Sequence, residues 1–171
     1  MENRGNAKSV ALYGLLIALA MVLSFVESLI PIPIPVPGVK LGLANLVTVA
    51  GLYLVGIPGT ICVTLLRIVL VGFSFGNPYS MLYGLSGSFV SLLVMSAARK
   101  YRLFSVVGIS VLGGVFHNIG QITFAAVIVQ TQGLYYYLPA LLLAGCIAGV
   151  LIGILGGIMV ERMGKFTKNM S

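Results

Sequence analysis

Acidic residues are almost missing from this sequence. It contains no aspartate, and its only acids are Glu2, Glu27 and Glu161. Magnesium-dependent diphosphate chemistry relies on carboxylates that hold the metal, and paired-carboxylate catalysis needs two acids that flank one bond. The sequence therefore excludes Asp-rich diphosphate chemistry, and it makes catalysis by a carboxylate pair implausible.

Other catalytic and metal-binding motifs are missing as well. Neither GxxxxGK[ST] nor GxSxG occurs, so the chain has no P-loop for ATP hydrolysis and no nucleophile elbow. His117 is the single histidine and has no adjacent nucleophile, while Cys62 and Cys146 lie in apolar runs without CxxC or Cys/His spacing. A zinc site or a disulfide framework has little support from this inventory. We therefore predict no catalytic residue, no metal and no cofactor, and we do not expect an enzyme.

Charge is also scarce, and apolar residues take its place. Of 171 residues, 59% are hydrophobic and 8% are charged, and the mean hydropathy is +1.12. Because a membrane-spanning helix needs about 20 apolar residues, this length allows about six spans and no second domain. Hydropathy and helix breakers predict six segments, which are 10–30, 43–55, 60–73, 79–97, 104–129 and 136–160. We predict one all-α integral membrane domain over residues 1–171, whose second and third segments are short for a full span.

The few cations follow a membrane pattern. With the N-terminus inside, the cytoplasmic ends collect Arg4, Lys8, Arg99, Lys100, Arg102, Arg162, Lys165 and Lys168, and the outer loops keep only Lys40. Such an excess of cytoplasmic Lys and Arg sets the orientation of membrane proteins. The formal net charge of +7 is thus an orientation signal that faces anionic membrane lipid. We predict cytoplasmic termini and no nucleic-acid partner.

A proline-rich stretch follows the first predicted span. Pro31, Pro33, Pro35 and Pro37 alternate with apolar residues in the loop that the orientation places outside. Proline removes a backbone donor and restrains the preceding residue, so this stretch is predicted to be an extended, polyproline-like strut. Two interpretations remain open: a cap that packs on the helix ends, or a connector that rests in the membrane interface.

Two stripes of small residues follow helical spacing. One consists of Ala7, Ala11, Gly14 and Ala18 in the first segment, and the other of Gly145, Gly149, Gly153 and Gly157 in the last. In lipid, small residues let helices approach closely. Packing within the chain is the default interpretation of both stripes. The alternative for the first stripe is a surface that receives a partner subunit.

Polar residues in or beside the predicted spans form the candidate binding site. They are Glu27, Lys40, Asn45, Arg67, His117, Asn118 and Gln121. Counted along each helix at about 1.5 Å per residue, they lie at mid-depth or in the outer half, where they could line one cavity. The alternative is structural: a buried Glu27–Arg67 ion pair, with the other polar groups holding helices together. If the cavity binds a ligand, Arg67 and Lys40 favour an anionic or carbonyl-rich group, and Tyr79 and Tyr83 offer rings for stacking.

Several segments together resemble a known family. They are "PGVKLGLANLVTVAGLYLVG" (37–56), "LLRIVLVG" (65–72), "GLSGSFVS" (84–91), "GGVFHNIGQ" (113–121) and "YYLPALLLAG" (136–145). Over nearly the whole chain they resemble the Gx transporter family, also labelled heptaprenyl diphosphate synthase component I. The enzyme label conflicts with the residue inventory, because prenyl synthases bind diphosphate through aspartates that this chain lacks.

More distantly, the layout is similar to the substrate-binding S components of energy-coupling-factor transporters. That likeness implies a multi-pass protein of the bacterial cell membrane that takes up a small molecule, for example a vitamin, a flavin or an isoprenoid-related compound. It also implies a membrane T subunit that meets the stripe Ala7, Ala11, Gly14 and Ala18, and two ATPase partners that supply energy. Gly14 departs from the usual alanine pattern.

Two other hypotheses stand beside transport. One is a membrane component of polyprenyl diphosphate synthesis, in which Arg67 and Lys40 hold diphosphate and a partner chain supplies the aspartates. The other is an assembly subunit of a redox complex, which would bind no small molecule.

Overall fold

The helical architecture is visible in a computed structural model, which describes residues 2–30 and 42–168, with side chains for 9–30 and 42–164. Within these ranges there are six α-helices and no strand. The helices are α1 (Glu2–Ser28), α2 (Asn45–Leu54), α3 (Gly56–Ser74), α4 (Pro78–Lys100), α5 (Val106–Val129) and α6 (Leu138–Lys168), and a short 3-10 helix, Gln132–Tyr137, precedes α6. The predicted all-α fold with six helical segments is confirmed.

Five of the described helices, all except α2, are long and apolar enough to cross a membrane. The chain is therefore a multi-pass membrane protein. The prediction of a short third span was wrong, because α3 begins at Gly56 and has 19 residues. Gly56 has a positive φ of 74°, which suits the turn out of α2, and Pro58 is tolerated because the first N–H groups of a helix have no intrahelical acceptor.

The short helix α2 lies in the interior of the bundle. Its 10 residues span about 15 Å, half of the roughly 30 Å thickness of a bilayer core, so α2 does not cross by itself. Seven of those residues are buried. A Cβ added at Gly51 would lie 3.0 Å from Thr60 Oγ1, so α2 and α3 form a tight antiparallel hairpin. The second of the six predicted spans is thus a buried helix of about half the length needed to cross the membrane.

Helices α4, α5 and α6 pack antiparallel through glycines. A Cβ added at Gly114 would lie 2.5 Å from the Gly145 carbonyl oxygen, and one added at Gly149 would lie 2.6 Å from Val111 Cα. The last-helix stripe therefore packs within the chain at Gly145 and Gly149, as predicted. Gly153 makes the same kind of contact with Val107, whereas Gly157 has nothing within 4 Å of its added Cβ.

Helix α1 packs on the opposite side, parallel to α3. Leu16 and Ala20 of α1 form a core cluster with Val63 of α3 and Val47 of α2. Of the first-helix stripe, Ala11, Gly14 and Ala18 are exposed, and an added Cβ at Gly14 would meet no atom within 4 Å. The side chain of Ala7 lies outside the described part. Packing within the chain, the default interpretation, is therefore wrong for the described part of this stripe.

Candidate functional site

A small polar cavity lies where α1, the start of α2, α3, α4 and α5 meet. Its volume is about 30 Å³. Its polar lining consists of Ser24, Glu27, Asn45, Arg67, Ser80, His117 and Gln121. We call this space the polar cavity.

Five of the seven predicted ligand contacts line the polar cavity. They are Glu27, Asn45, Arg67, His117 and Gln121. They meet because the helices alternate in direction, which brings residues at similar heights above the inner helix ends to the same level. His117 and Gln121 also lie four residues apart, and so share a face of α5. The sixth candidate, Lys40, lies outside the described residues, as does the proline stretch of residues 31–37.

The seventh candidate, Asn118, faces away from the polar cavity. Successive residues of a helix point about 100° apart around its axis. Asn118 therefore faces α6, whereas the preceding residue, His117, faces the polar cavity. Its Nδ2 donates a hydrogen bond of 2.7 Å to the carbonyl oxygen of Leu141, and the residue is 0% exposed. The structural alternative therefore describes Asn118: it is polar glue between α5 and α6. Its assignment as a cavity contact does not fit this geometry.

Glu27 anchors the start of α2. One of its carboxylate oxygens accepts hydrogen bonds from the backbone N–H groups of Gly42 and Leu43, the latter at 3.3 Å. The residue preceding α2, Ala44, has no side chain that can cap a helix. A carboxylate near a helix N-terminus satisfies orphan donors and complements the helix dipole. Glu27 thus holds the segment that immediately precedes α2, within the membrane-spanning part of the bundle.

Glycine is required at position 42 for this arrangement. Its φ is +90°, and an added Cβ would lie 2.9 Å from Asn45 Nδ2 and 3.7 Å from His117 Cδ2. A larger residue would therefore be strained and would push against the Asn45 side chain, while its Cβ would only touch His117. The same distances place Asn45 and His117 side by side in the cavity wall.

Arg67 is the cation of the polar cavity. Its guanidinium donates to Ser24 Oγ and to Ser88 Oγ, both at 3.4 Å. These bonds are long for N–H···O contacts, and hydroxyls carry no charge to balance the guanidinium. Glu27 lines the same cavity, and its carboxylate also binds the backbone at the start of α2. Arg67 therefore has donor capacity suited to a carboxylate or a phosphate.

Two buried nitrogens of the cavity wall have no hydrogen-bond partner among residues 9–30 and 42–164. They are Asn45 Nδ2 and His117 Nδ1, in residues that are each 4% exposed. Leaving a buried donor or acceptor unsatisfied costs about 1–3 kcal/mol, so such groups are normally paired with protein, water or ligand. Together with Arg67 they place hydrogen-bond donors and acceptors around one space. The wall can therefore form hydrogen bonds with a small polar group.

The size of the polar cavity limits what it holds in this conformation. About 30 Å³ corresponds to about one water molecule, whereas pockets for drug-sized ligands enclose about 300–1,000 Å³. The cavity thus accommodates a water or one end of a ligand. The predicted stacking partners do not line it: Tyr83 packs edge-on against Phe124 in the core, and Tyr79 is exposed at the start of α4.

Serines are the residues that sequence reasoning missed. Ser24 lies three residues before Glu27, on the same helical face, so helix spacing was enough to find it. Ser88 binds Arg67 from a different helix. No spacing within the chain reveals that contact, because it depends on how α3 and α4 pack.

Comparison with known proteins gives one result. A sequence model of the family described as heptaprenyl diphosphate synthase component I matches residues 16–159. The matched range begins in α1, ends in α6 and contains every residue of the polar cavity. Neither the curated proteins nor the solved structures contain a match to the chain.

Proposed function

The chain belongs to the heptaprenyl diphosphate synthase component I family, and we propose that it is a membrane transport subunit whose polar cavity binds the anionic end of a small substrate. The observation that carries this proposal is the environment of Arg67, a cation in a membrane-spanning helix with two hydroxyls at 3.4 Å. Ionisable groups are costly inside a membrane and are usually retained for function.

The described lining of the polar cavity holds one cation and one carboxylate, Arg67 and Glu27, so their formal charges cancel, and its hydrogen-bond donors are what favour an anionic group. Glu27 already accepts hydrogen bonds from two backbone N–H groups, while Asn45 Nδ2 has no acceptor among the described residues. The amino-terminal end of α2, which carries partial positive charge, begins at the same wall. A substrate carboxylate or phosphate at this position would pair with Arg67 and accept from Asn45.

In this proposal the energy for transport comes from other subunits. The sequence has no P-loop, so the chain does not hydrolyse ATP by that route. The exposed face with Ala11, Gly14 and Ala18 is the surface proposed to meet a membrane T subunit, which links the chain to ATPases. The protein would work in a bacterial cell membrane, like an S component, and would not be an enzyme.

Direct analysis of retained molecules tests the function. The wild-type protein, purified gently, should carry a small anionic molecule detectable by mass spectrometry, and Arg67→Ala should reduce its amount by about tenfold, because a hydrogen bond to a charged group contributes about 1.5–3 kcal/mol. Arg99→Ala is the matched control, since Arg99 lies over the Tyr53 ring at 4.9 Å and does not line the polar cavity. Equal retention by wild type and Arg67→Ala would contradict the proposal.

The family's description favours one second candidate, a membrane component of polyprenyl diphosphate synthesis. Arg67, with Lys40, would then hold a diphosphate, and a partner chain would provide the missing aspartates. This candidate predicts that the purified protein and its partner together elongate a prenyl diphosphate. As a control, the same partner must elongate the prenyl diphosphate when it is combined with its own authentic membrane subunit. If that control succeeds and this protein gives no elongation, the candidate is removed.

A further inference from the structure

A lateral groove lies between α3 and α4 and is much larger than the polar cavity. Its volume is about 450 Å³, within the usual range of about 300–1,000 Å³ for ligand pockets. The walls are mainly apolar, with Ile61, Leu65 and Ile68 from α3 and Leu85, Phe89 and Leu92 from α4. Several of these side chains are exposed on the outside of the bundle, so the groove is accessible from the hydrocarbon of a membrane.

Three residues along the lateral groove carry hydroxyl groups. Thr64, Ser88 and Ser96 all line it. The Thr64 hydroxyl is buried and has no partner in the part of the chain that the structure describes, and the Ser88 hydroxyl accepts from Arg67. The exposed surface of the groove is therefore almost wholly apolar, as suits a hydrocarbon chain, and the Thr64 and Ser88 side chains are buried behind it.

The lateral groove and the polar cavity are neighbours. Ile68 lines both, Arg67 lines the polar cavity, and its partner Ser88 lines the groove. The boundary between the two spaces therefore includes one contact of 3.4 Å between Arg67 and Ser88, which is weak for a hydrogen bond. A single ligand that displaces this contact would reach both spaces.

We propose that the ligand is an amphiphile, whose carboxylate or phosphate head group binds Arg67 and whose hydrocarbon chain lies in the lateral groove. The inference rests on the proposed function and names its substrate class. It also resolves a mismatch of size, because the polar cavity of about 30 Å³ accepts only a polar end while the groove offers about 450 Å³ to the apolar remainder. The Arg67 guanidinium near the groove's boundary pairs more strongly with an anionic head group than with a neutral one.

Photolabelling with a fatty acid tests the location of the chain. Palmitate with a diazirine near the end of its chain is added to protein in phosphatidylcholine vesicles, and labelled residues are identified by mass spectrometry. Label should concentrate on α3 and α4 residues of the groove. Arg67→Ala, or replacement of the acid by the corresponding alcohol, should reduce groove labelling by about tenfold, since the charge-assisted contact is lost.

Leu65→Trp and Leu66→Trp form a matched pair for the groove itself. The two leucines are adjacent on α3 and are 48% and 44% exposed, but only Leu65 lines the groove. Leu65→Trp should lower groove labelling severalfold, while Leu66→Trp should leave it unchanged. Thermal unfolding of both variants shows whether the fold is retained. Equal labelling in the pair, or labelling that is indifferent to Arg67 and to head-group charge, means annular lipid and overturns the inference.

Thermal stabilisation by anions with long and short chains separates this inference from the proposed function. Palmitate and hexadecyl phosphate should raise the unfolding temperature of the wild type but not of Arg67→Ala, whereas butyrate at equal concentration should raise it much less. In one outcome, butyrate stabilises the wild type as much as palmitate does and fails to stabilise Arg67→Ala. That result would support anion binding in the polar cavity and contradict the inference that the ligand is an amphiphile. If no anion stabilises the wild type, the proposed function itself falls.

Discussion

At the scale of single residues, Glu27 shows how a carboxylate in a membrane-spanning helix can be structural. It is 2% exposed and binds the backbone N–H groups of Gly42 and Leu43, which belong to a segment 15 and 16 residues later. Exposed peptide groups have no water to bind at this depth, so each needs a partner in the protein. Glu27 therefore joins the end of α1 to the start of α2.

Replacement of Glu27 tests this structural role. We expect Glu27→Ala to lower the free energy of unfolding by about 1–3 kcal/mol, because the start of α2 would lose a charged acceptor within the bundle. The measurement is thermal unfolding in detergent, followed by circular dichroism. Glu161→Ala is the control, since Glu161 lies exposed near the end of α6. Equal stability of the two variants would argue against the anchor.

Residue positions at the site were largely predictable from the sequence because polar residues in apolar helices are rare. Arg67, His117 and Gln121 were found in this way, and helix spacing put the last two on one face. Asn118 failed because adjacency in sequence does not mean a shared face in a helix. The Arg67–Ser88 contact depends on packing between helices, and spacing within one helix carries no information about it.

At the scale of helices, the glycines of α6 define its contact with α5. Gly149 approaches the Val111 backbone so closely that any side chain would overlap it, whereas Gly157 faces open space. The stripe in the sequence predicts close packing somewhere along α6 but treats all four glycines alike. Only the structure shows where the contact ends.

Substitution of these two glycines tests the extent of the contact. Gly149→Leu should destabilise the protein by about 1–3 kcal/mol or more, because the backbone of α5 must move to admit the side chain. Gly157→Leu should leave stability within about 0.5 kcal/mol of wild type, as is usual for a position without close neighbours. The readout is the unfolding temperature in one detergent. Similar losses in both variants would contradict this assignment of the packing face.

Helix lengths were the less predictable part of the fold. Apolar composition located all six helices, but residues 43–55 and 60–73 looked equally short. The structure shortens the first to α2 and extends the second to α3, because Gly56 makes the turn and Pro58 fits into the first turn of α3. Hydropathy measures burial from water, and it does not distinguish burial by lipid from burial by protein. Helix α2 is buried by protein.

At the scale of the whole molecule, basic residues gather at one end. Because α4, α5 and α6 pack antiparallel, the carboxyl ends of α4 and α6 lie on the same side of the bundle. Arg99 and Lys100 lie at the end of α4, and Arg162 lies near the end of α6. By the positive-inside rule this is the proposed cytoplasmic end. Gly14 lies on the exposed face of α1, where a partner in the membrane would bind.

Gly14→Leu tests that partner surface. Because a Cβ added at Gly14 meets no described atom within 4 Å and the residue is exposed, the variant should unfold at the same temperature as wild type and retain the same small molecule. Association with the proposed membrane T subunit and ATPases, measured by affinity purification and quantitative mass spectrometry, should fall severalfold. Val22→Leu, at another exposed position of α1, is the control. Unchanged association in Gly14→Leu would count against this face.

The contrast between glycine-mediated packing and the lateral groove has a mechanical consequence. Helices α4, α5 and α6 touch backbone to backbone, so sliding or parting them would break contacts along their length. Helices α3 and α4 are instead separated over part of their length by the lateral groove, and higher up they meet through the flexible Met81 side chain against Gly72. The seam between α3 and α4, beside Arg67, therefore lacks the backbone-to-backbone contacts that join α4, α5 and α6. Movement that widens the polar cavity would follow this seam, with α4 to α6 as one rigid block and the turn at Phe75–Asn77 as its hinge.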